Sequence, residues 1–297
     1  MAEIRPLFTE FVSFLKHEEN LSPNTVEAYS SDLEHFITFL DAQGVKDISG
    51  LTHMHIRTYI SSLYEKLDKR SIARKTSSIR AFLKYLNMQA YIGAELLSRI
   101  VRPKMPERLM FALSVEEINT FLSAIDAKTD IGKRNLAIIE LLYGAGLRVS
   151  ELASLKIIDV DFSQKTLKVM GKGRKERISP FNNEAIRSLN SYLEIRNNFI
   201  KQDRPTDLIF LNKSGTPLNI RTIQRLTKFI SIKAGIIRKA TPHTMRHSYA
   251  THLLEAGASI KTVKELLGHA SIAATQKYTH LTMEKLSEMY KKSHPKA

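Results

Sequence analysis

Apolar residues recur at helical spacing along most of this chain, and switch to alternation only between Ile158 and Ile178. Helical and period-two patterns bury different side chains, so the switch points to a mainly α fold with one small sheet. Within the exception, Val160, Phe162, Leu167, Val169 and Ile178 alternate with polar residues, separated by SQK and GKGRK turns. This predicts about three antiparallel strands, with Lys172 in the Gly171–Gly173 turn joining the last two.

Before the exception, residues 1–103 read as a helical domain. Helices are expected over Ile4–Glu19, from Ser22-Pro23 to Gly44, over Leu51–Tyr64 and over Ser71–Leu86, each with its own apolar stripe. Residues 104–113 continue a proline- and arginine-bearing stretch without a clear period, the candidate linker. Ser114-Val-Glu-Glu117 is a capping-box pattern, so a second domain over 114–297 is expected to begin there. A helix over Asn135–Tyr143 ends at Gly144 and Gly146, and helices return at Glu184–Ile200, Ile220–Ala234 and Met283–Lys292. Leu208–Leu211 fits either a strand or a buried loop.

Charge narrows the partner. The net charge is +15, and the first 103 residues hold 13 basic against 12 acidic side chains, whereas the remainder holds 32 against 18. A polyanion explains such an imbalance, and nucleic acid precedes membrane because no basic amphipathic helix stands out. The fourth helix and its lead-in carry Lys66, Lys69, Arg70, Arg74, Lys75, Arg80 and Lys84 against Glu65 and Asp68 alone. Like charges at helical spacing repel, so a DNA-facing helix is preferred to a merely solvated one. With no cysteine there is no disulfide framework. No apolar run reaches about 18 residues and the N-terminus shows no leader pattern, so a cytoplasmic location without a membrane partner is expected.

Thr241–His280 concentrates the chemistry. Thr241 is a good N-cap and Pro242 suits the first helical position, which sets His243 and Arg246 on one helix face. Tyr249, Leu253 and Leu254 form the apolar set of that helix. The next helix starts at Ser259, buries Ile260, Val263, Leu266 and Leu267, and stops at Gly268, just before His269. No GxxxxGK[ST], HExxH or DxDxDG pattern occurs, so chemistry on a phosphate falls to cationic side chains, with no metal or cofactor expected. Arg148 and Arg246 have the fork geometry for phosphate oxygens, and Lys172 can give a proton to a leaving oxygen. His243 and His269 can each take a proton or bind a phosphate oxygen. Tyr278, a phenol of pKa about 10, needs positive surroundings to attack. Taken singly, each residue has a plain structural explanation.

The ordered set changes the balance. Ala145-Gly-Leu-Arg148-Val-Ser-Glu-Leu152, Gly171-Lys172-Gly173-Arg-Lys-Glu-Arg177, His243-Thr-Met-Arg246, Leu266-Leu-Gly-His269 and Thr275-Gln-Lys-Tyr278 resemble the tyrosine recombinases, in particular the Xer type. The likeness spans nearly the whole chain, with Ala145 where relatives more often carry Thr. It implies a SAM-like helical core-binding domain and an α+β catalytic domain. It also implies attack by Tyr278 on a scissile phosphate to give a 3′-phosphotyrosine and a free 5′-hydroxyl. Arg148, Arg246, His243 and His269 would hold the phosphate, with His243 as base, and Lys172 would protonate the 5′-oxygen without metal or ATP. Glu151, three residues after Arg148, is placed to orient that arginine. DNA contacts are expected at Arg70, Arg74, Lys75 and Arg80, and at Arg174 and Lys175 of the hairpin.

The family further implies a tetramer on two double-stranded DNA sites, homomeric or with a paralogous recombinase, an exchanged C-terminal helix, and chromosome-dimer resolution, with a DNA translocase as a further partner. A mobile-element integrase, a catalytically dead DNA-binding regulator and a type IB topoisomerase are the competing readings.

Overall fold

The computed structural model describes residues 2–19, 21, 23–98, 100, 111–171, 176–200, 206–237 and 240–268. The chain divides into two compact units, Met1–Arg108 and Leu109–Ala297, a division that falls inside the expected linker. Leu113, at the end of that segment, belongs to the second unit's core, where its N–H donates to Ser248 Oγ at 2.8 Å.

The first unit is built from α1 (Ile4–His17), α2 (Pro23–Ala42), α3 (His53–Leu63), α4 (Lys69–Met88) and the short α5 (Glu95–Ser98). Thr52 caps α3 in a capping box with His55, and Asp68 caps α4 by accepting from Ser71 N–H. Both satisfy orphan donors of a helix start. Leu7, Phe11, Leu33, Phe36, Ile37, Phe82 and Leu83 form the centre of the core. Phe11 lies 5.4 Å from the rings of both Phe82 and Tyr85, joining α1 to α4.

One polar knot is set into this unit. Asp32 on α2 is buried and accepts from Arg74, from Ser78 Oγ at 2.9 Å and from Lys75 Nζ at 3.2 Å, all on α4. Lys75 therefore does not share the exposed basic face on which DNA contact was expected, because its charge is answered inside the domain. A count of charges along α4 misses Asp32, since it arrives from another helix. Arg74 is half exposed while paired to Asp32, Arg80 donates to the Ile100 carbonyl, and Arg70 is exposed.

The second unit contains α6 (Val115–Ser123), α7 (Asp130–Gly144), α8 (Val149–Ala153), β1 (Val160–Asp161), β2 (Thr166–Met170), β3 (Glu176–Pro180), α9 (Asn183–Ile195), α10 (Ile220–Lys233), α11 (Pro242–Glu255) and α12 (Ile260–Leu267). The Ser114–Glu117 capping box starts α6 as its sequence pattern predicts. α7 is the central helix: Ala137–Gly144 are all buried, and it packs on α9 and α11. A stretch of helix buried on every side belongs in the middle of a domain.

The sheet is antiparallel in the order β1-β2-β3, with Val160 opposite Leu167 and Val169 opposite Arg177. That register corrects one expectation. Ile178 is 44% exposed, and β3 turns Ser179 into the core and Arg177 towards the helices. Leu208–Leu211 is a mostly buried segment outside the sheet, with isolated antiparallel bridges from Leu208 to Lys156 and from Leu211 to Pro217. Its carbonyls are taken up by Tyr192 Oη, by Arg196, which donates to Leu208 and Ile209, and by Arg134, which donates to Leu211 at 3.0 Å. Both arginines are buried. Leu254 and Ile260, expected in the apolar faces of α11 and α12, are exposed at the helix edges, while Leu253, Val263, Leu266 and Leu267 are buried. Among the described residues no helix is long and apolar enough to cross a membrane.

Asp32→Ala removes the partner of a Lys75 side chain that is only 11% exposed. Leaving a buried cation unpaired costs about 3 kcal/mol. The urea midpoint followed by circular dichroism is expected to fall accordingly, and an unchanged midpoint would show the knot to be idle.

Candidate active site

The site is assembled where α7 hands over to α8. Gly146 has φ +59° there, and a Cβ on it would stand 2.6 Å from the Tyr249 ring, so only glycine fits. Ser179 Oγ donates to the Ala145 carbonyl at 3.0 Å, holding the passage to β3. Arg148 then serves as the N-cap of α8, with extended backbone at φ −70° and ψ 148°. Its N–H donates to Glu151 Oε2 at 2.8 Å and its Nη1 to Glu151 Oε1 at 2.7 Å. The spacing of Arg148 and Glu151 read from the sequence is thus a contact, made by curling around a helix start.

Glu151 is buried and serves more than one cation. Arg177 meets it with both guanidinium arms, Nη1 to Oε1 at 2.7 Å and Nη2 to Oε2 at 3.0 Å. Arg246, also buried, has Nη1 at 3.7 Å from Oε2 and donates to the Gly146 carbonyl at 2.5 Å. One carboxylate thus stands among three guanidiniums, leaving an excess of positive charge in a partly desolvated place. Burial pushes the Glu151 carboxyl up, but hydrogen bonds and charge from Arg177, then the bonds from Arg148, outweigh it and hold the group below its ordinary value. Burial, then the charge of Arg148, brings Arg246 down to about 10; Glu151 pulls it up, and Arg177 adds a smaller push down. Arg246 therefore remains a cation at neutral pH.

The same three arginines close the end of α12. Arg177 Nε donates to the Leu266 carbonyl at 3.2 Å, Arg246 Nη2 to Leu267, and Arg148 Nη2 to Gly268 at 3.3 Å. Cations on the last carbonyls oppose the negative end of the helix dipole. Gly268 is left-handed at φ +61°, the stop that the sequence pattern predicts.

α11 carries the other expected pair. Thr241 and Thr244 form its capping box with Pro242 at the first position, so His243 is exposed near the helix start and Arg246 points inward. The fold thus brings Arg148 and Arg246 to one carboxylate and sets His243 one turn from Arg246. Lys172, Arg174, Lys175, His269 and Tyr278 lie outside the described residues, as does the segment Met283–Lys292, where the last helix and its exchange were expected. Arg177 was not among the expected site residues. Its signal was weak, because the apolar Ile178 claimed the inward face of β3. Among the described residues, no three His, Asp or Glu side chains gather as a metal site.

This arrangement can hold a dianionic or monoanionic oxygen cluster beside Gly268 without recruiting a cation from solution. Two family models cover the chain: the phage integrase family over residues 112–285, and its N-terminal SAM-like domain over residues 8–90. The chain belongs to the phage integrase family. Within it the relatives are Xer-type tyrosine recombinases, which break and rejoin DNA strands. Tyrosine recombinase XerC of Myxococcus xanthus is 41% identical over 300 residues, covering all of both chains. Tyrosine recombinase XerD of Listeria monocytogenes is 38% identical, covering 98% of this chain and 99% of the relative. The fold is shared with XerH recombinase bound to palindromic difH after cleavage (TM-score 0.70, 23% identity, 95% of this chain and 83% of that one). It is also shared with a λ integrase dimer on a core site (TM-score 0.70, 17% identity, 91% and 96% covered).

Because the folded value of Glu151 lies below the ordinary 4.5, its stabilising contribution is complete above that pH and is lost as pH falls through the folded value. Glu151→Gln removes the contribution outright. The gap in unfolding midpoint between wild type and variant is expected to stay level near neutrality and to close on acidification below 4.5. A gap that persists in acid would contradict the charge pairing.

Proposed function

We propose that this recombinase cuts and reseals DNA at one specific site through Tyr278, and that its cellular task is to convert chromosome dimers to monomers. The observation that carries the reading is the convergence of Arg148 and Arg246, from segments far apart in the chain, on the buried Glu151. Two forks held by the fold suit the non-bridging oxygens of a phosphodiester, whose charge grows as a fifth oxygen approaches phosphorus.

The steps balance without an outside energy source. Tyr278 gives its phenolic proton to His243, and its oxygen bonds to phosphorus while the bond to the 5′-oxygen breaks. Lys172 supplies the proton that makes the leaving group a 5′-hydroxyl. Arg148, Arg246 and His269 hold the phosphate throughout. The ester energy stays in the 3′-phosphotyrosine, so a 5′-hydroxyl from the partner strand reverses the step and reseals the backbone. The excess of guanidinium charge favours the phenolate over the phenol.

The reading also includes DNA contacts at Arg70, Arg74, Arg80, Arg174 and Lys175, a tetramer on two sites, homomeric or with a paralogous recombinase, a DNA translocase as a further partner, and action in the cytoplasm. Support for the Xer task rather than a mobile element comes from relatives named XerC and XerD that match over their full lengths. The palindromic site of the XerH complex fits two subunits per site by symmetry.

On a nicked suicide duplex, Tyr278→Phe is expected to bind DNA normally and to form no covalent adduct; an adduct would remove Tyr278 as nucleophile. Lys172→Ala is expected to slow cleavage by about a hundredfold or more for a 5′-oxygen, within the range of general acid catalysis. A 5′-sulfur leaving group needs no acid, so the defect should nearly vanish there. Equal slowing on both substrates would take the proton from Lys172.

A further inference from the structure

Of the three guanidiniums around Glu151, that of Arg148 is the most exposed, at 27%, whereas Arg177 is turned inward on both of its arms and its Nε. Its two Nη atoms lie on Glu151 and its Nε on the Leu266 carbonyl, and its side chain is 12% exposed. The register of the sheet, Val169 opposite Arg177, anchors it at the foot of the hairpin. Its stem also supports the helix end: a Cβ on Gly268 would stand 2.6 Å from Arg177 Cδ.

We propose that Arg177 is a positioning residue for strand cleavage, sharing Glu151 with Arg148 and so fixing where the Arg148 guanidinium stands. The phosphate in this statement rests on the recombinase reading; the geometry does not. Arg148 Nη1 and Arg177 Nη1 lie at the same distance, 2.7 Å, from the same Oε1. Neither arginine has the carboxylate to itself. Without Arg177, the buried carboxylate must find another donor, and Arg148 or the 3.7 Å distant Arg246 is the group within reach. Either arginine would be drawn from the phosphate towards Glu151. Lysine would not substitute, since a single ammonium cannot pair both carboxylate oxygens and reach Leu266 as well.

The role separates from mere bracing by its chemistry. Arg177→Gln and the milder Arg177→Lys are compared with wild type on a suicide duplex under single-turnover conditions, with DNA affinity and melting temperature measured alongside. Cleavage is expected to slow by about tenfold or more with affinity nearly unchanged, the signature of a displaced transition-state contact. Because the defect lies with the phosphate clamp, a 5′-sulfur leaving group should not restore it. In a Glu151→Gln background, Arg177→Gln should cost no more than about twofold, because the two act as one unit. Normal cleavage, full rescue by 5′-sulfur, or an undiminished defect in the Glu151→Gln background would each overturn the proposal.

A wild-type protein that forms no Tyr278 adduct would instead sink the recombinase reading. Positioning is then read from the guanidinium 15N–1H signals of Arg148 in the free protein, assigned with Arg148→Lys. Arg177→Gln is expected to shift or broaden them, and unchanged signals would overturn the proposal on their own.

Discussion

The second unit depends on one buried negative charge. Taking Glu151 out of water is unfavourable, and the cost is met only because guanidiniums and an N–H converge on it from α8 and β3. The carboxylate thereby makes three distant pieces of chain agree on a position. α8 begins where its N-cap touches Glu151, β3 is keyed to it through Arg177, and α12 ends where the same arginines take its carbonyls. A site made this way is organised before any substrate arrives, which is what stabilising a developing charge requires.

The helical domain solves a smaller problem in the same manner. Asp32 buries Lys75 and pairs with the half-exposed Arg74 of α4, so one acid from a neighbouring helix locks the basic helix in place. Outward on α4 are Lys69, Arg70, Lys84 and Arg74, the last while still paired to Asp32. Basic side chains along a helix are thus divided between a structural group and an exposed group, and only geometry tells them apart.

Much of this was legible in the residues. Caps and stops are local chemistry, and Ser114, Thr241, Ser259 and Gly268 all act where their side chains or φ angles demand. The strand pattern was visible because alternation survives in β2. It failed at β3, where the inward positions are Arg177 and Ser179 and the outward one is Ile178, an inversion that periodicity alone misreads. The helix edges at Leu254 and Ile260 failed for a related reason: an apolar residue at the margin of a stripe is free to face solvent. Long-range pairings such as Asp32 with Lys75, or Arg177 with Glu151, leave no local signature at all.

Buried cations have a consequence for how this protein meets a polyelectrolyte. Lys75, Arg134, Arg196 and Arg246 all lie inside the fold, and several of their donors are held by carbonyls or carboxylates of the chain itself. The count of 45 basic side chains therefore overstates how many can meet a duplex. Counterion release tracks contacts at the surface, so the dependence of affinity on ionic strength will be gentler than the lysine and arginine tally suggests.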